Sequence, residues 1–598
     1  MTRVQLFIDN GGYSVKALYL PASANTSSRS AVTHASALTS SSTHGEVAAT
    51  ATTLAPAPKV LVVPNCVGAA VYAGTGIMGD QLDHLPHYHG LMVRRPVDRG
   101  FVVDGGLQAR VWEHVLQHFS IESEEEVDVW LTVPFAAPKA VAQLLWLLCT
   151  RSFRFGSVTV VSSSFMSLIA YNFARGASAP SSAARKRPRS TVDTDAQELF
   201  GCSGSSATGG GMAVMVDVGF SATTVIPYVN YIPVHSSVVR LDVGGKVLTN
   251  RLKEYISFSQ MNVMEDTWLI NHVKEQCCVV ARHPRRSLQR YAALWKGRTR
   301  DDVEAAVGTV STQRREGGGG DGQSPRCQRP GAPAVGVLTS PDVPIRYYLP
   351  TIPALLPLGV PEAELPSRLP KTSGVDAAAL QHLLLCQERF LIPELLFTPA
   401  DVGINQQGVA QAITEGIFQR GLLQHLTKLL RPLLLHNVCV YGGTASQPNF
   451  RDRLEAEVAA VAPQPPACDT DLDWKDSKRS TTSSSSSSRH GAAEAGSDRA
   501  TCLSATPALP EFLLKAGGAS TDLSLQPLLG AWCLLTATAS DVADIAATAD
   551  SGSNGGASQR ELLRLRALVH QRSGIELQRP PAGRVTVETF QHALERML

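Results

Sequence analysis

The sequence has little of what marks a specialised class of protein. Its eleven cysteines include no Cys-x-x-Cys pair, which leaves neither a disulfide framework nor a zinc-ribbon spacing. Cys277 and Cys278 are adjacent and read as buried thiols, so a reducing compartment is expected. Lysine and arginine total 54 against 52 acidic residues, a net charge of +2, so charge alone demands no polyanionic partner. No apolar run approaches the ~20 residues a bilayer-spanning helix needs. The N-terminus turns polar at Asp9, too early for a signal peptide. The expectation is a soluble intracellular protein with no membrane partner. No Ser/His/Asp or Cys/His constellation stands in recognisable context, and no repeat appears at solenoid periods. Asp83, His84, His87 and His89 cluster, but Pro86 interrupts them and no second ligand group follows, so a metal site is not expected there.

What is present is a set of three glycine-bearing turns spread along the chain. They are Leu6-Phe7-Ile8-Asp9-Asn10-Gly11-Gly12-Tyr13, Met215-Val216-Asp217-Val218-Gly219-Phe220 and Val438-Cys439-Val440-Tyr441-Gly442-Gly443. Each begins as a short apolar run, a buried strand, and breaks into a turn. Two carry an Asp at the strand end and a Gly two residues later. Glycine lets backbone N–H groups approach phosphate oxygens, and the carboxylates can hold a hydrated divalent cation.

This layout resembles the actin, chaperone and sugar-kinase ATPase superfamily. Two further stretches are similar to actin motifs: Leu241-Asp242-Val243-Gly244-Gly245-Lys246-Val247-Leu248-Thr249, and Pro393-Glu394-Leu395-Leu396-Phe397-Thr398-Pro399. Arg95-Pro96-Val97-Asp98-Arg99-Gly100 ahead of Trp112 also resembles actins. Asn262–Asp266, Leu269-Ile270-Asn271, Glu388-Arg389-Phe390 and Asp401–Ile404 resemble the actin-related protein 6 class, nuclear chromatin-remodelling subunits.

The resemblance implies an α/β actin-like fold of two duplicated domains around a nucleotide cleft, interrupted by long inserts. Residues 1–177 form the expected first domain, with an insert at 21–58. Residues 212–463 form the second, with an insert at 283–343. Residues 511–598 return to the first domain, with an insert at 541–583 that carries one helical stretch near Glu561–His570. Low-complexity inserts occupy 178–211 and 464–510, where Gly209–Gly211 and the Ser483–Ser488 run stand. Low apolar content gives such segments too little burial to offset ordering entropy, so disordered loops are expected. Strands at Val129–Val133 and Ser157–Val161 and helices at Lys139–Thr150 and Ser164–Arg175 make the alternation of an α/β protein.

By resemblance, ATP or ADP with Mg2+ would be held by Asp9, Asn10, Gly11, Lys16, Asp217, Gly219, Gly245, Lys274, Glu275, Gly442 and Gly443. Asp9 and Asp217 would hold the cation through water, and Lys274-Glu275 would flank the base and ribose. Five positions depart from the family pattern: Tyr13 for a glycine, Phe220 for an aspartate, Thr224 for a histidine, Ser163 for the water-positioning glutamine and Gln447 for a tyrosine near the adenine. In-line hydrolysis needs an oriented water, so a bound nucleotide with little turnover is expected and no residue is assigned as catalytic. The basic run Arg185, Lys186, Arg187 and Arg189 suits nuclear import. The Arg-rich stretch 282–300 fits a solvated loop as well as a nucleic-acid or histone contact. The functional expectation is a nuclear scaffold subunit of an SWR-type remodeller that exchanges variant histones. Its partners would be the remodeller ATPase and other subunits, with indirect contact to nucleosomes, and no filament. The alternative is a filament-forming, cytoskeletal actin-like ATPase.

Overall fold

A computed structural model describes residues 4–21, 58–70, 74–121 (except 86, 87 and 89), 126–173, 211–297, 341–368 (except 342, 352–355 and 357), 380–462, 503–513 (in part), 522–537, 555–576 and 587–597. The basic run at 185–189 and most of the inserts lie outside them.

Leu6, Phe7 and Ile8 are all fully buried, as a strand covered on both faces requires. The strand Val4–Asn10 pairs antiparallel with Ser14–Leu20 and parallel with Val127–Thr132, so Ile8 faces Ala17 on one side and Leu131 on the other. Lys59–Pro64 and Ser157–Val161 extend this sheet, and Gly574–Glu576 makes it six-stranded. The second large sheet repeats the plan. Ala213–Val218 pairs antiparallel with Thr223–Val229 and parallel with Val438–Tyr441, so Val216 faces Val225 and Val440. The duplication expected from the two Asp-tipped turns therefore extends to strand order and direction. Smaller antiparallel sheets are built from Val67–Ala70, Gly74–Met78 and Met92–Arg94, and from Ile345–Tyr348, Val360–Pro361 and His382–Leu385.

Two helices, Ser163–Phe173 and Gln526–Leu535, lie between the sheets and share one core with Phe7, Met215 and Tyr441. Their backbones nearly touch: a Cβ on Gly530 would sit 1.7 Å from the Met166 carbonyl oxygen. The expected helix at 139–150 runs as Lys139–Leu147 and continues through a wider turn, Leu148–Ser152.

Three insert boundaries need correction. The 283–343 segment begins with a helix, Pro284–Trp295, whose proline takes the first turn where its missing N–H costs nothing. The 464–510 segment ends in packed chain. Leu503 is buried and bridges Val438, and Ser504 Oγ donates to Asn437 Oδ1 at 2.6 Å. The 541–583 segment holds a helix, Gly555–Ser573, that buries Leu562, Leu565 and Val569, followed by the strand Gly574–Glu576, which pairs Ile575 with Val158. The centre of that helix is the helical stretch expected near Glu561–His570, and the correction lies in its greater length, its burial and the strand that follows.

The Pro-Glu-x-Leu-Phe motif is part of the core. Glu394 pairs with Arg453 at 3.2 Å, both buried, and the Arg453 guanidinium lies 5.0 Å from the Phe397 ring centre. Arg389, fully buried, donates from Nε to the Cys277 carbonyl at 3.0 Å.

Candidate nucleotide cleft

The two hairpins and the late Gly-Gly turn converge on one cavity of about 1220 Å³ between the large sheets. Asp9, Asn10, Gly11, Lys16, Asp217, Gly219, Lys274, Glu275, Gly442 and Gly443 all line it, whereas Gly245 does not. Gly245 stands behind the wall, where a Cβ would meet Thr444 Oγ1 at 2.8 Å.

The floor is built on Asp9. Lys16 Nζ donates to its Oδ2 at 3.0 Å, and Thr132 Oγ1 to its Oδ1 at 3.0 Å. Thr132 Oγ1 in turn accepts from the Asn10 N–H at 2.9 Å. The Asn10 side chain is held as a brace, donating to Gln108 Oε1 at 3.2 Å and accepting from Trp112 Nε1 at 3.1 Å. The Gly11 carbonyl accepts from Asn65 Nδ2 at 2.8 Å.

Asp217 stands opposite. Burial and the neighbouring Asp9 charge push its carboxyl up to about 7, against the opposing pull of Lys16 and a hydrogen bond from Tyr441. Gly442, at φ 102, brings the third turn so close that a Cβ would sit 2.8 Å from Asp217 Oδ1. Only glycine adopts this conformation here without strain. Among the described residues no three His, Cys, Asp or Glu side chains converge on a metal position. A cation held by these two carboxylates would therefore complete its shell with water and phosphate oxygens.

The hairpins meet directly. A Cβ on Gly12 would lie 2.3 Å from Ser221 Oγ. Beside this contact the Tyr13 and Phe220 rings lie 5.2 Å apart at 49°, and the Arg95 guanidinium sits 4.9 Å from each ring centre. Arg95 also donates to the Tyr13 carbonyl at 3.0 Å. The two hairpin residues that depart from the family pattern thus form one aromatic cluster around Arg95.

At the base end, Lys274 and Glu275 are joined through Asn271. Lys274 Nζ donates to Asn271 Oδ1 at 2.7 Å, Thr249 Oγ1 at 3.0 Å and the Gly245 carbonyl at 3.3 Å. Asn271 Nδ2 reaches Glu275 Oε1 at 2.8 Å and the Tyr13 hydroxyl at 3.2 Å. Burial lowers the Lys274 pKa and raises that of Glu275. Gln447 lines the same cavity, with both amide atoms buried and without a partner among the described residues. An amide left so, beside a glycine-lined floor with two carboxylates and a lysine, fits a nucleotide that would hydrogen-bond it.

Ser163 Oγ lies 3.4 Å from the Tyr441 hydroxyl, and Thr224 pairs in register with Asp217. Both line the cavity. Sequence reasoning assigned no role to Thr132, Tyr441, Asn271 or Arg95. Tyr441 directly precedes Gly442-Gly443, which was its one local signal.

A family model described as Actin matches residues 51–472. The chain belongs to the actin family. It is 26% identical over 404 residues to Actin-related protein 6 of Drosophila melanogaster, covering 67% of this chain and 81% of that one. It is 26% identical over 408 residues to Actin-related protein 6 of Arabidopsis thaliana, with 67% and 81% covered. To Actin-like protein arp6 of Aspergillus fumigatus it is 27% identical over 420 residues, with 67% and 75% covered. The family match begins after the first hairpin and ends before the helix Gln526–Leu535, two pieces that the fold brings against the matched body. Among the described residues no helix is long and apolar enough to cross a membrane.

Proposed function

We propose that this actin-related chain is a nuclear scaffold subunit of an SWR-type chromatin remodeller engaged in variant-histone exchange. It holds ATP or ADP with Mg2+ as a structural element and turns it over little or not at all. Similarity to actin-related protein 6 of several organisms supports the class. The observation that carries the reading is the Tyr13–Phe220–Arg95 stack, which ties one hairpin to the other through protein contacts. Ser163 and Thr224 supply hydroxyls where a water-orienting amide and imidazole would be needed. Positioning an attacking water accounts for orders of magnitude in phosphoryl transfer.

When bound, the cation would neutralise charge on the phosphates. Asp9 and Asp217 would hold its water shell, Lys16 would contact phosphate, and Gly11, Gly219 and Gly442 would admit the phosphates to backbone N–H groups. Lys274, Glu275 and Gln447 would orient base and ribose.

Purification of the tagged full chain from nuclear extract tests the assignment. Recovery of a remodeller ATPase and helicase-like subunits, with nucleotide extractable from the purified protein, is expected. Filaments on sedimentation with steady ATP turnover would overturn it in favour of a cytoskeletal ATPase. Replacing Arg185, Lys186, Arg187 and Arg189 with alanine is expected to move a tagged chain out of the nucleus.

A further inference from the structure

The helices Gly421–His425 and Thr427–Leu435 carry leucines on both sides. Leu423, Leu430, Leu434 and Leu435 are buried in the second-domain core. Leu422, Leu426, Leu429 and Leu433 are 54%, 38%, 53% and 50% exposed. Leaving four leucines about half in water forgoes part of the burial free energy that each would gain against a partner. Singly exposed leucines are ordinary on a surface, whereas a contiguous row marks a contact face. The spacing of this row is four, three and four residues. Leu429 and Leu433 stand one turn apart on the second helix, Leu426 lies in the bend at its N-terminus, and Leu422 sits on the short helix before it, so the row runs across two helices.

Charge identifies what faces it. From Gly416 to Asn437 the chain carries Arg420, His425, Lys428, Arg431 and His436 and no carboxylate. Arg420, His425 and Lys428 are exposed, and among the described residues no acidic side chain pairs with them. Arg431 lies with its guanidinium 5.7 Å from the Phe418 ring centre. A second copy of this chain would bring the same basic border against itself, and like charges across a seam disfavour pairing.

We infer that the Leu422–Leu426–Leu429–Leu433 row is a docking face for an acidic amphipathic helix of another polypeptide. The partner helix lays an apolar seam along the leucines and glutamates or aspartates along the basic border, the helix-in-groove mode of recognition. This inference is independent of the nucleotide cleft.

Titration of the full-length chain with a stapled, monomeric helical peptide tests it. One peptide carries a leucine seam bordered by glutamates, and its control carries lysines at the border positions. Saturable one-to-one binding of the glutamate peptide is expected, at least tenfold tighter than the control. The preference should shrink as salt rises, since exposed charges are screened. Leu426→Glu with Leu429→Glu should abolish binding with the melting temperature held, because both side chains already face water. Arg420→Glu with Lys428→Glu should reverse the peptide preference while leaving the seam intact. Equal binding of the two peptides, or no binding, would overturn the inference. So would a free chain that self-associates through Leu429, or one in which cross-links show its own residues covering the row.

Discussion

Tyr13 and Phe220 stand on different hairpins, yet their rings lie 5.2 Å apart with Arg95 set 4.9 Å from both. The same tyrosine reaches Asn271 of the base-side network through its hydroxyl. One side chain thus touches both Asp-tipped hairpins and the helix proposed to hold the nucleoside. Protein contacts alone join the two sides of the cleft at this point. Lys246 and Asp98, 2.8 Å apart, add an exposed ion pair near the same seam.

The stack should register as a coupling between its rings. Thermal unfolding of Tyr13→Ala, Phe220→Ala and the double variant should give an interaction energy of about 0.5–1.5 kcal/mol beyond lost burial. Additive single effects would mean that the rings do not support each other. If the stack substitutes for nucleotide, the double variant should also gain more in melting temperature from added ATP and Mg2+ than the parent does.

Asp217 predicts a pH dependence of defined sign. Its carboxyl titrates near 3.8 when unperturbed and at about 7 in the fold. Between those values the native state holds a proton that the unfolded chain has released. Its contribution to stability is therefore fully present below 3.8 and is lost as pH rises through about 7. Without cation, Asp217→Asn should flatten this part of the profile relative to the parent. Binding Mg2+ requires the ionised carboxylate, so nucleotide-dependent stabilisation by Mg2+ should grow from pH 6 to pH 8 in the parent alone. Parallel profiles for parent and variant would rule this out.

Gly530→Ala should be among the most damaging small substitutions in the chain. Its Cβ would fall 1.7 Å from the Met166 carbonyl oxygen, and neither helix backbone can yield cheaply. A loss of about 3 kcal/mol or more is expected, the upper range for overpacking, read as a fall in melting temperature or in soluble yield. An unchanged melting temperature would show that the two helices are not in backbone contact.

Leu565→Ala tests the late helix. The residue is buried with Leu562 and Val569 against the helix Gln526–Leu535. Truncation of a core leucine typically costs about 2–5 kcal/mol. A neutral effect would return this segment to the status of a dispensable insert.

The sequence made the cleft legible where the signal was local. Asp9, Asp217 and Gly442 each follow a short apolar run, so strand, turn and carboxylate could be read together. The partners that fix them were not legible, because they arrive from far along the chain. Thr132 stands 123 residues from Asp9, and Asn271 stands 258 from Tyr13. The substitutions Tyr13 and Phe220 could each be seen as departures. That they contact one another is a property of two hairpins meeting at Gly12 and Ser221. The helix Gly555–Ser573 was partly legible at its centre, but its weak amphipathic stripe gave no hint of the edge strand that follows.

That edge strand bears on how the chain is made. Among the described residues, Ser157–Val161 receives its outer neighbour from Gly574–Glu576, and Thr159 and His570, whose side chains meet there, are separated by 411 residues. At roughly 5–20 residues per second, synthesis of that interval takes on the order of 20–80 s. Throughout that time the nascent first sheet lacks its outer strand, with a row of unpaired backbone groups of the kind that recruits foreign strands. The chain must leave the ribosome as far as Glu576 before this sheet acquires that strand, so the order of synthesis sets how long the edge of Ser157–Val161 stays open.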